Sequence, residues 1–319
     1  MSSNKKIKRP SRLANTFEIV LPATSANLGP AFDAAALALK LFLKIQASVS
    51  PDYSIVAMGR DSDICGRVDN HLILTTYREV LGQEGKPVPP LALRIANEIP
   101  IGKGCGSSAA ARLAGIALAV RFGKLRWTED RIIGEASRRE HHADNAAACW
   151  LGGVTIARMG SNTDAETVRI TPKGKWPLLL AIPRESLSTE KARRALPAQY
   201  SREDAVINIQ NSMFLLAALM QGRPELISAA LDDRMHQPYR APLCPLLPAL
   251  QKMRGASGIL GVALSGAGPS VLMFVDPNAS IVQVAAKVKS HLRAAKLAAE
   301  LVSTTISGRG GNSAPRPSR

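Results

Sequence analysis

Residues 102–106 read Gly-Lys-Gly-Cys-Gly, and their flanks leave this chain few ways to fold around them. Ahead lies Leu91–Ala96, a short apolar run of strand character; behind come Ser107, Ser108 and then Ala109–Phe122, rich in alanine and strongly helical. Three glycines at alternate positions let a backbone turn tightly and approach an anion with no Cβ in the way. A helix that starts directly after such a turn offers unpaired N–H groups and the positive end of its dipole. Ser107 is placed to cap that helix. Lys103 adds a mobile cation, and Ser108 sets a hydroxyl in the first turn, where it could ligate a Mg²⁺ held between phosphates. The spacing favours phosphate binding over a plain strand-to-helix turn. It matches neither G-x-x-x-x-G-K-[ST] nor G-x-G-x-x-G, whose third glycine would fall one place later.

The remaining periodicity fills in an α+β chain. Strands are expected at Phe17–Leu21, Leu37–Val49, Gly153–Ala157, Leu178–Ile182, Leu260–Leu264, Val271–Val275 and Glu300–Thr304, with Pro22–Asp33 as a turn-rich segment. Helices are expected at Asp69–Gln83, Thr128–Glu140, Asp144–Leu151, Arg202–Met220, Pro245–Arg254 and Ile281–Ala298. Strands and helices do not alternate as in a doubly wound sheet, so two lobes meeting after Gly153 is the better reading. From Ser307 the chain turns Gly-, Ser-, Pro- and Arg-rich, which reads as a tail.

A net charge of +16, from 41 basic and 25 acidic residues, raises nucleic-acid binding as an alternative. Half of that excess sits at the two ends: Lys5, Lys6, Lys8, Arg9 and Arg12, then Arg309, Arg316 and Arg319, with no acid among them. Aromatic residues are 4%, too few to interleave rings with cations as single-strand binders do, and the rest of the excess suits an anionic small substrate. Apolar content of 46% excludes general disorder, and no apolar run reaches the roughly 20 residues of a membrane span. No apolar stretch follows the basic start, which argues against a secretory leader. Cys65, Cys105, Cys149 and Cys244 form no C-x-x-C pair, and four such cysteines without secretion point to the reducing cytoplasm.

Three ordered motifs carry a family resemblance. Ile99-Pro100-Ile101-Gly102-Lys103-Gly104-Cys105-Gly106-Ser107-Ser108-Ala109-Ala110 resembles the phosphate loop P-x-x-x-G-L-G-S-S-A-A of the GHMP small-molecule kinases. Pro22-Ala23-Thr24-Ser25-Ala26-Asn27-Leu28-Gly29-Pro30-Ala31-Phe32-Asp33 resembles P-A-T-S-A-N-L-G-P-G-F-D, and Leu264–Ser270 resembles the Gly-rich third motif. Within the superfamily the first motif looks most like the homoserine kinase family. Three further stretches agree: Glu140–Asn145 with E-G-H-P-D-N, Leu187–Arg193 with an S-T-x-x-A-R segment, and Gln237–Arg240 with E-P-Y-R. The likeness spans residues 17–305. Departures include Ala31 and His141 for glycines, Cys105 for leucine, Ala143 for proline and Gln237 for an acid.

The resemblance implies a GHMP kinase fold of two lobes: a ribosomal-protein-S5-like lobe over residues 17–158 and a ferredoxin-like lobe over 159–305. A basic flexible tail, 1–16, and a second tail, 306–319, would flank them. It implies ATP in the loop 100–110 and Mg²⁺ on Ser108 and Glu140, with Glu135 as the competing carboxylate. It implies L-homoserine as substrate and a place in threonine biosynthesis. Arg193 and Arg240 would grip the carboxylate, Asp33 would face the ammonium, and Asn27 would orient the hydroxyl; Thr189 and Asn145 would add contacts. His142 would support the Asp144–Asn145 turn rather than act as a base. A different small alcohol, such as mevalonate or a sugar, is the nearest alternative substrate. Members of the family commonly form homodimers.

Overall fold

Alternation of Leu37, Leu39, Leu41, Leu43 and Ile45 predicts one long strand, and β2 runs from Ala31 to Val49 as the spine of the first sheet. Past Lys40 its side chains alternate in and out, whereas residues 35–39 are all buried because both faces are covered there. The computed structural model describes residues 16–160 and 164–313; the basic run at residues 5–12, Arg316 and Arg319 lie outside the described residues.

β1 (Phe17–Asn27) lies antiparallel to β2, with register shifts between Pro22 and Ala23 and between Ala26 and Asn27. The segment expected to be turn-rich from Pro22 is therefore mostly strand; pairing with β2 carries β1 to Asn27, and the turn is confined to residues 28–30. β3 (Ser54–Gly59), β4 (Leu91–Asn97), β5 (Val154–Met159) and β6 (Ala165–Ile170) complete this sheet in the order β3-β4-β2-β5-β6. The sequence reading missed β3 and β6. Both lie at sheet edges and expose apolar side chains, Val56 and Met58 on one and Val168 on the other, so neither shows an in–out polarity pattern.

Five helices follow from this half of the chain: α1 (Ser62–Cys65), α2 (Leu72–Gln83), α3 (Ser107–Phe122), α4 (Glu129–Glu140) and α5 (Asp144–Leu151). Helix α3 is buried along most of its length, as an alanine- and leucine-rich helix with no polar face must be. At Gly115 it comes so close to α2 that an added Cβ would stand 2.5 Å from the Ile73 carbonyl oxygen.

The second lobe carries β7 (Pro177–Ile182), α6 (Thr189–Arg194), α7 (Arg202–Gln221), α8 (Ile227–Ala230), α9 (Gln237–Arg240), α10 (Leu246–Gln251), β8 (Ile259–Leu264), β9 (Val271–Val275), α11 (Ile281–Ala294) and β10 (Glu300–Thr305). Its four strands pair antiparallel in the order β10-β7-β9-β8, the split β-α-β arrangement.

Two expected boundaries shift. β6 pairs with β5, so the first sheet runs on to Ile170 and a division after residue 158 would cut a hairpin. Residues 306–313, expected to open a flexible tail, are seated on the first lobe. Ile306 bridges Leu39, Ser307 donates its N–H to Ala38 O at 2.8 Å, and Gly153 donates to Ser307 O at 2.7 Å. Gly310 and Gly311 fit here because they lack side chains: a Cβ on Gly310 would lie 2.2 Å from Trp150 O.

Gly115→Ala sets two effects against each other. Alanine gains about 1 kcal/mol of helix propensity, while overpacking against Ile73 and Thr76 costs about 1–3 kcal/mol. The contact involves backbone, so a net loss of stability is expected, read as a lower urea midpoint; an unchanged midpoint would show that α2 yields freely.

Candidate active site

The loops after β1, before α3 and between β8 and β9 converge, and main-chain groups join them. Gly266 N donates to Ala26 O at 3.1 Å and Thr24 N to Cys105 O at 3.1 Å. Ser265 Oγ donates to Gly104 O at 2.7 Å, and Asn27 Nδ2 donates to Gly266 O at 2.8 Å. Gly104, at φ 76°, is required by this contact: a Cβ there would stand 2.2 Å from Ser265 O. Gly106, rather than Ser107, occupies the N-cap of α3, at φ 71°, and offers no side chain to satisfy the helix's first N–H groups. The loop and the first turn of α3 line the main pocket, where unpaired N–H groups would suit an anion. Cys105 is wholly buried, and burial pushes its thiol up to about 12, although the neighbouring Ser270 and Ser265 hydroxyls and Arg60 act in the opposite direction. Lys103 does not line the main pocket. Its Nζ donates to Arg184 O, and it borders a side cleft with Arg60, Asp61 and Glu300. Pro100 borders the same cleft, and Ile101 N donates to Asp61 Oδ2 at 3.1 Å. Ala109 and Ala110 are core residues behind the loop.

One pocket gathers Asn27, Asp33, Ser108, Glu140, His142, Asp144, Asn145, Thr189, Arg193 and Arg240 around the Gly-rich loops. On its phosphate-loop side, Ser108 Oγ donates to Glu140 Oε1 at 2.6 Å, and Arg112 Nε reaches the same oxygen at 2.6 Å. Glu135 points elsewhere and pairs with Arg138 and Arg139, so of the two candidate carboxylates only Glu140 borders the pocket. The left-handed His141, at φ 65°, ends α4 and turns the chain back; a glycine would adopt this at less cost.

Across the pocket, Arg193 grips Asp33 through two hydrogen bonds of 2.9 and 2.8 Å. Arg240 is 1% exposed; its Nε donates to Ala192 O at 3.2 Å, and Phe32 lies beneath both guanidiniums at 5.7 and 5.2 Å. Asp33 takes φ 53°, and its N–H donates to Asn27 Oδ1 at 2.9 Å. Both ends of the Asn27 amide are thus engaged by backbone. Between the two walls, His142 Nδ1 stands 2.7 Å from Asp144 Oδ1, and that oxygen also accepts the Asn145 N–H at 2.6 Å. Burial disfavours the His142 imidazolium, but Asp144 more than offsets this and raises its pKa. Asn145 Oδ1 accepts from Thr24 Oγ1 at 2.6 Å, tying this turn to the first motif.

A second, more apolar cavity of about 430 Å³ opens beside the phosphate loop. Leu43, Ile64, Ile73, Ile95, Ile99 and Ile101 line it, with Gly102, Ser107 and Ser108 on the shared wall. His71 also lines it: Nε2 lies 3.1 Å from Cys65 O, burial lowers the ring's pKa, and the buried Nδ1 has no hydrogen-bond partner among the described residues. Sequence reading missed His71, Thr24, Phe32 and Asp144 as site residues. Asp144, beside the singled-out His142, and Thr24 and Phe32, inside the first motif, carried signals that could have found them; His71 carried none.

Among the described residues no group of three His, Cys, Asp or Glu could hold a metal alone, and no helix is long and apolar enough to cross a membrane. Residues 71–153 match the model of the GHMP kinases N terminal domain, and residues 215–294 match GHMP kinases C terminal. A homoserine kinase of Solibacter usitatus is 44% identical over 260 residues, covering 82% of this chain and 85% of that protein. A homoserine kinase of Moorella thermoacetica is 39% identical over 259 residues, covering 80% and 86%. The crystal structure of a Cytophaga hutchinsonii homoserine kinase shares the fold at a TM-score of 0.78, with 22% identity, covering 93% of this chain and 97% of that one. The crystal structure of L. major mevalonate kinase in complex with R-mevalonate shares it at 0.69, with 15% identity, covering 95% and 100%. With its N- and C-terminal segments both matched and relatives similar over most of its length, this protein belongs to the GHMP kinases and, among them, to the homoserine kinase family.

Proposed function

We propose that the protein transfers the γ-phosphoryl group of ATP to the side-chain hydroxyl of L-homoserine, yielding O-phospho-L-homoserine and ADP for threonine biosynthesis in the cytoplasm. The observation that carries this is the single pocket with a phosphate cradle and the Ser108–Glu140 pair on one side and Asp33, Arg193 and Arg240 on the other. ATP would lay its phosphates along Gly102–Ser108, with the adenine in the apolar cavity, where His71 Nδ1 is a buried acceptor suited to an amino group.

The donor set suits Mg²⁺. Ser108 and Glu140 supply hard oxygens, too few to form a cage alone, which matches an ion that shares its coordination with phosphates and waters. When bound, it would neutralise charge on the β- and γ-phosphoryl oxygens.

The free site already holds the charges a zwitterion needs. Asp33 and Arg193 neutralise each other; homoserine's ammonium would take Arg193's place at Asp33, and its carboxylate would take Asp33's place at Arg193, with Arg240 as a second cation. No charge is stranded in this exchange. A mevalonate-like acid has no ammonium, so if its carboxylate took Arg193 no cation would replace that guanidinium at Asp33. Asn27 and Asn145 border the path of the hydroxyl. Its oxygen forms the new bond to phosphorus as the bond to ADP breaks, and its proton passes to the transferred phosphoryl group. His142 is a poor base here, because Asp144 favours its protonated form.

The homodimer implied by the family finds support on α7. Val206, Ile209, Met213 and Met220 are exposed along one face, at 47, 63, 66 and 50%. A second copy laid antiparallel along α7 would cover this apolar face. Ile209→Glu should turn a dimer into a monomer in sedimentation; a wild-type monomer would sink this face as the interface.

ADP release measured with homoserine, mevalonate, shikimate and galactose tests the substrate, with homoserine the expected strong signal and another alcohol at equal rate the contrary one. Glu140→Ala should lower kcat by about 10²–10³-fold, the scale of losing a key electrostatic group. Activity within a few fold of wild type at saturating Mg²⁺ would refute its metal role. Arg240→Lys keeps the charge and loses the fork, so the KM for homoserine should rise with little change in the KM for ATP.

A further inference from the structure

His236 is completely buried, titratable, and absent from the chemistry above. It precedes α9 and lies against the substrate end of the pocket. Its Nε2 stands 2.8 Å from Gly29 O, so that nitrogen carries the proton and donates to the carbonyl. Nδ1 is then an acceptor, 3.2 Å from a terminal nitrogen of Arg240. Phe32 stacks on the imidazole at a centroid distance of 5.3 Å and 27°, and its ring lies beneath both Arg240 and Arg193. One neutral ring thus holds a carbonyl of the first motif with one nitrogen and a guanidinium of the second lobe with the other.

From this geometry we infer that His236 is a positioning residue for substrate binding: its Nδ1 lone pair fixes the rotation of the Arg240 fork, and its Nε2–H registers that fork against the Gly29–Asp33 loop. The inference rests on the reading of Arg240 as a ligand of the substrate carboxylate. A guanidinium without an oriented partner can still attract a carboxylate, but bidentate grip needs its plane set in advance.

The charges around the ring keep it in the required state. Burial and Arg240 disfavour the imidazolium, while Asp233, whose Oδ2 is 3.5 Å from Nε2, and the more distant Asp33 favour it; the net pKa lies below the ordinary value. Asp233 is occupied elsewhere, since its carboxylate accepts the backbone N–H groups of Met235, His236 and Gln237 at 2.9, 3.1 and 2.6 Å. Arg193 reaches the ring only through Phe32. Protonation would remove the acceptor and set two cations face to face.

Two amide substitutions separate the two nitrogens. In H236N the side-chain oxygen reaches the place of Nδ1 and can accept from Arg240; in H236Q the amide reaches the place of Nε2 and can donate to Gly29 O. H236Q should raise the KM for homoserine at least tenfold, with kcat and the KM for ATP changed less than threefold. H236N should restore most of that KM, to a shift at least fivefold smaller than that of H236Q. Equal KM shifts in the two variants, or losses confined to kcat and thermal stability, would assign His236 to packing alone and overturn the inference. Nitrogen NMR of histidine-labelled wild-type protein needs no variant to fold. It should show His236 as the neutral Nε2–H tautomer across neutral pH; an Nδ1–H tautomer or an imidazolium there would equally overturn it. If Arg240→Lys leaves the homoserine KM unchanged while the tautomer is as expected, the fault lies with the role of Arg240.

Discussion

The contact between the Gly104 and Ser265 segments holds the rest in place. Gly104 belongs to the loop ahead of α3 in the first lobe, Ser265 to the turn between β8 and β9 in the second, and the Ser265 hydroxyl closes on the Gly104 carbonyl at 2.7 Å. Asn27 reaches the adjacent Gly266 from a third loop. Each such hydrogen bond contributes only about 1 kcal/mol net, yet leaving a buried partner unmet costs about 1–3 kcal/mol. The loop proposed to cradle phosphate is therefore made of main chain whose shape is set only when both lobes are folded against each other. That explains why three separated glycine-rich motifs belong to one site: only residues without side chains let three backbones meet at hydrogen-bonding distance.

This is also why so much was legible in the sequence. Glycine spacing, a following helix and the residue types around them are local signals, and the tight loop, the core helix α3 and the place of Ser108 in its first turn followed from them. What separates Glu140 from Glu135 is helical phase: five residues place them about 140° apart on α4, so only one faces the pocket, and which one depends on how α4 packs. The Asp33–Arg193 pair joins residues 160 positions apart, and no local pattern announces it. His236 and His71 gave no signal because a buried histidine is recognised by what surrounds it. The return of residues 306–313 was hidden for a related reason: glycine, serine and arginine read as tail chemistry, while Gly310 and Gly311 are small because Trp150 and Gly152 leave no room.

Cross-lobe ties gather at the first motif. Gly29 O accepts from His236, and Pro30 O accepts from Asn208 Nδ2 at 2.6 Å and Ser212 Oγ at 2.8 Å. The turn at 28–30, which leads into Phe32 and Asp33 at the start of β2, thus hangs from the second lobe while its strands belong to the first. Substrate-end geometry and phosphate-end geometry are fixed by the same lobe–lobe interface, so a displacement between lobes would disturb both together.

Arg240 shows how the protein tolerates a buried cation before any substrate arrives. Burial and the nearby Arg193 both work against its charge, but guanidinium keeps its proton in proteins, so the burden appears as unmet attraction rather than neutralisation. The Ala192 carbonyl, the His236 lone pair and the Phe32 face each supply partial negative charge, and none is a full anion. Asp33 is already held by Arg193. Among the described residues no carboxylate pairs with Arg240 directly; Asp33 and Asp233 favour its charge only from a distance, which leaves its attraction partly unmet on the wall where a carboxylate would bind. An arriving carboxylate relieves that imbalance, and an uncharged alcohol such as galactose cannot. The proposed preference for an amino-acid alcohol over a sugar would rest on this electrostatic feature of the free protein, before any contact with the hydroxyl is considered.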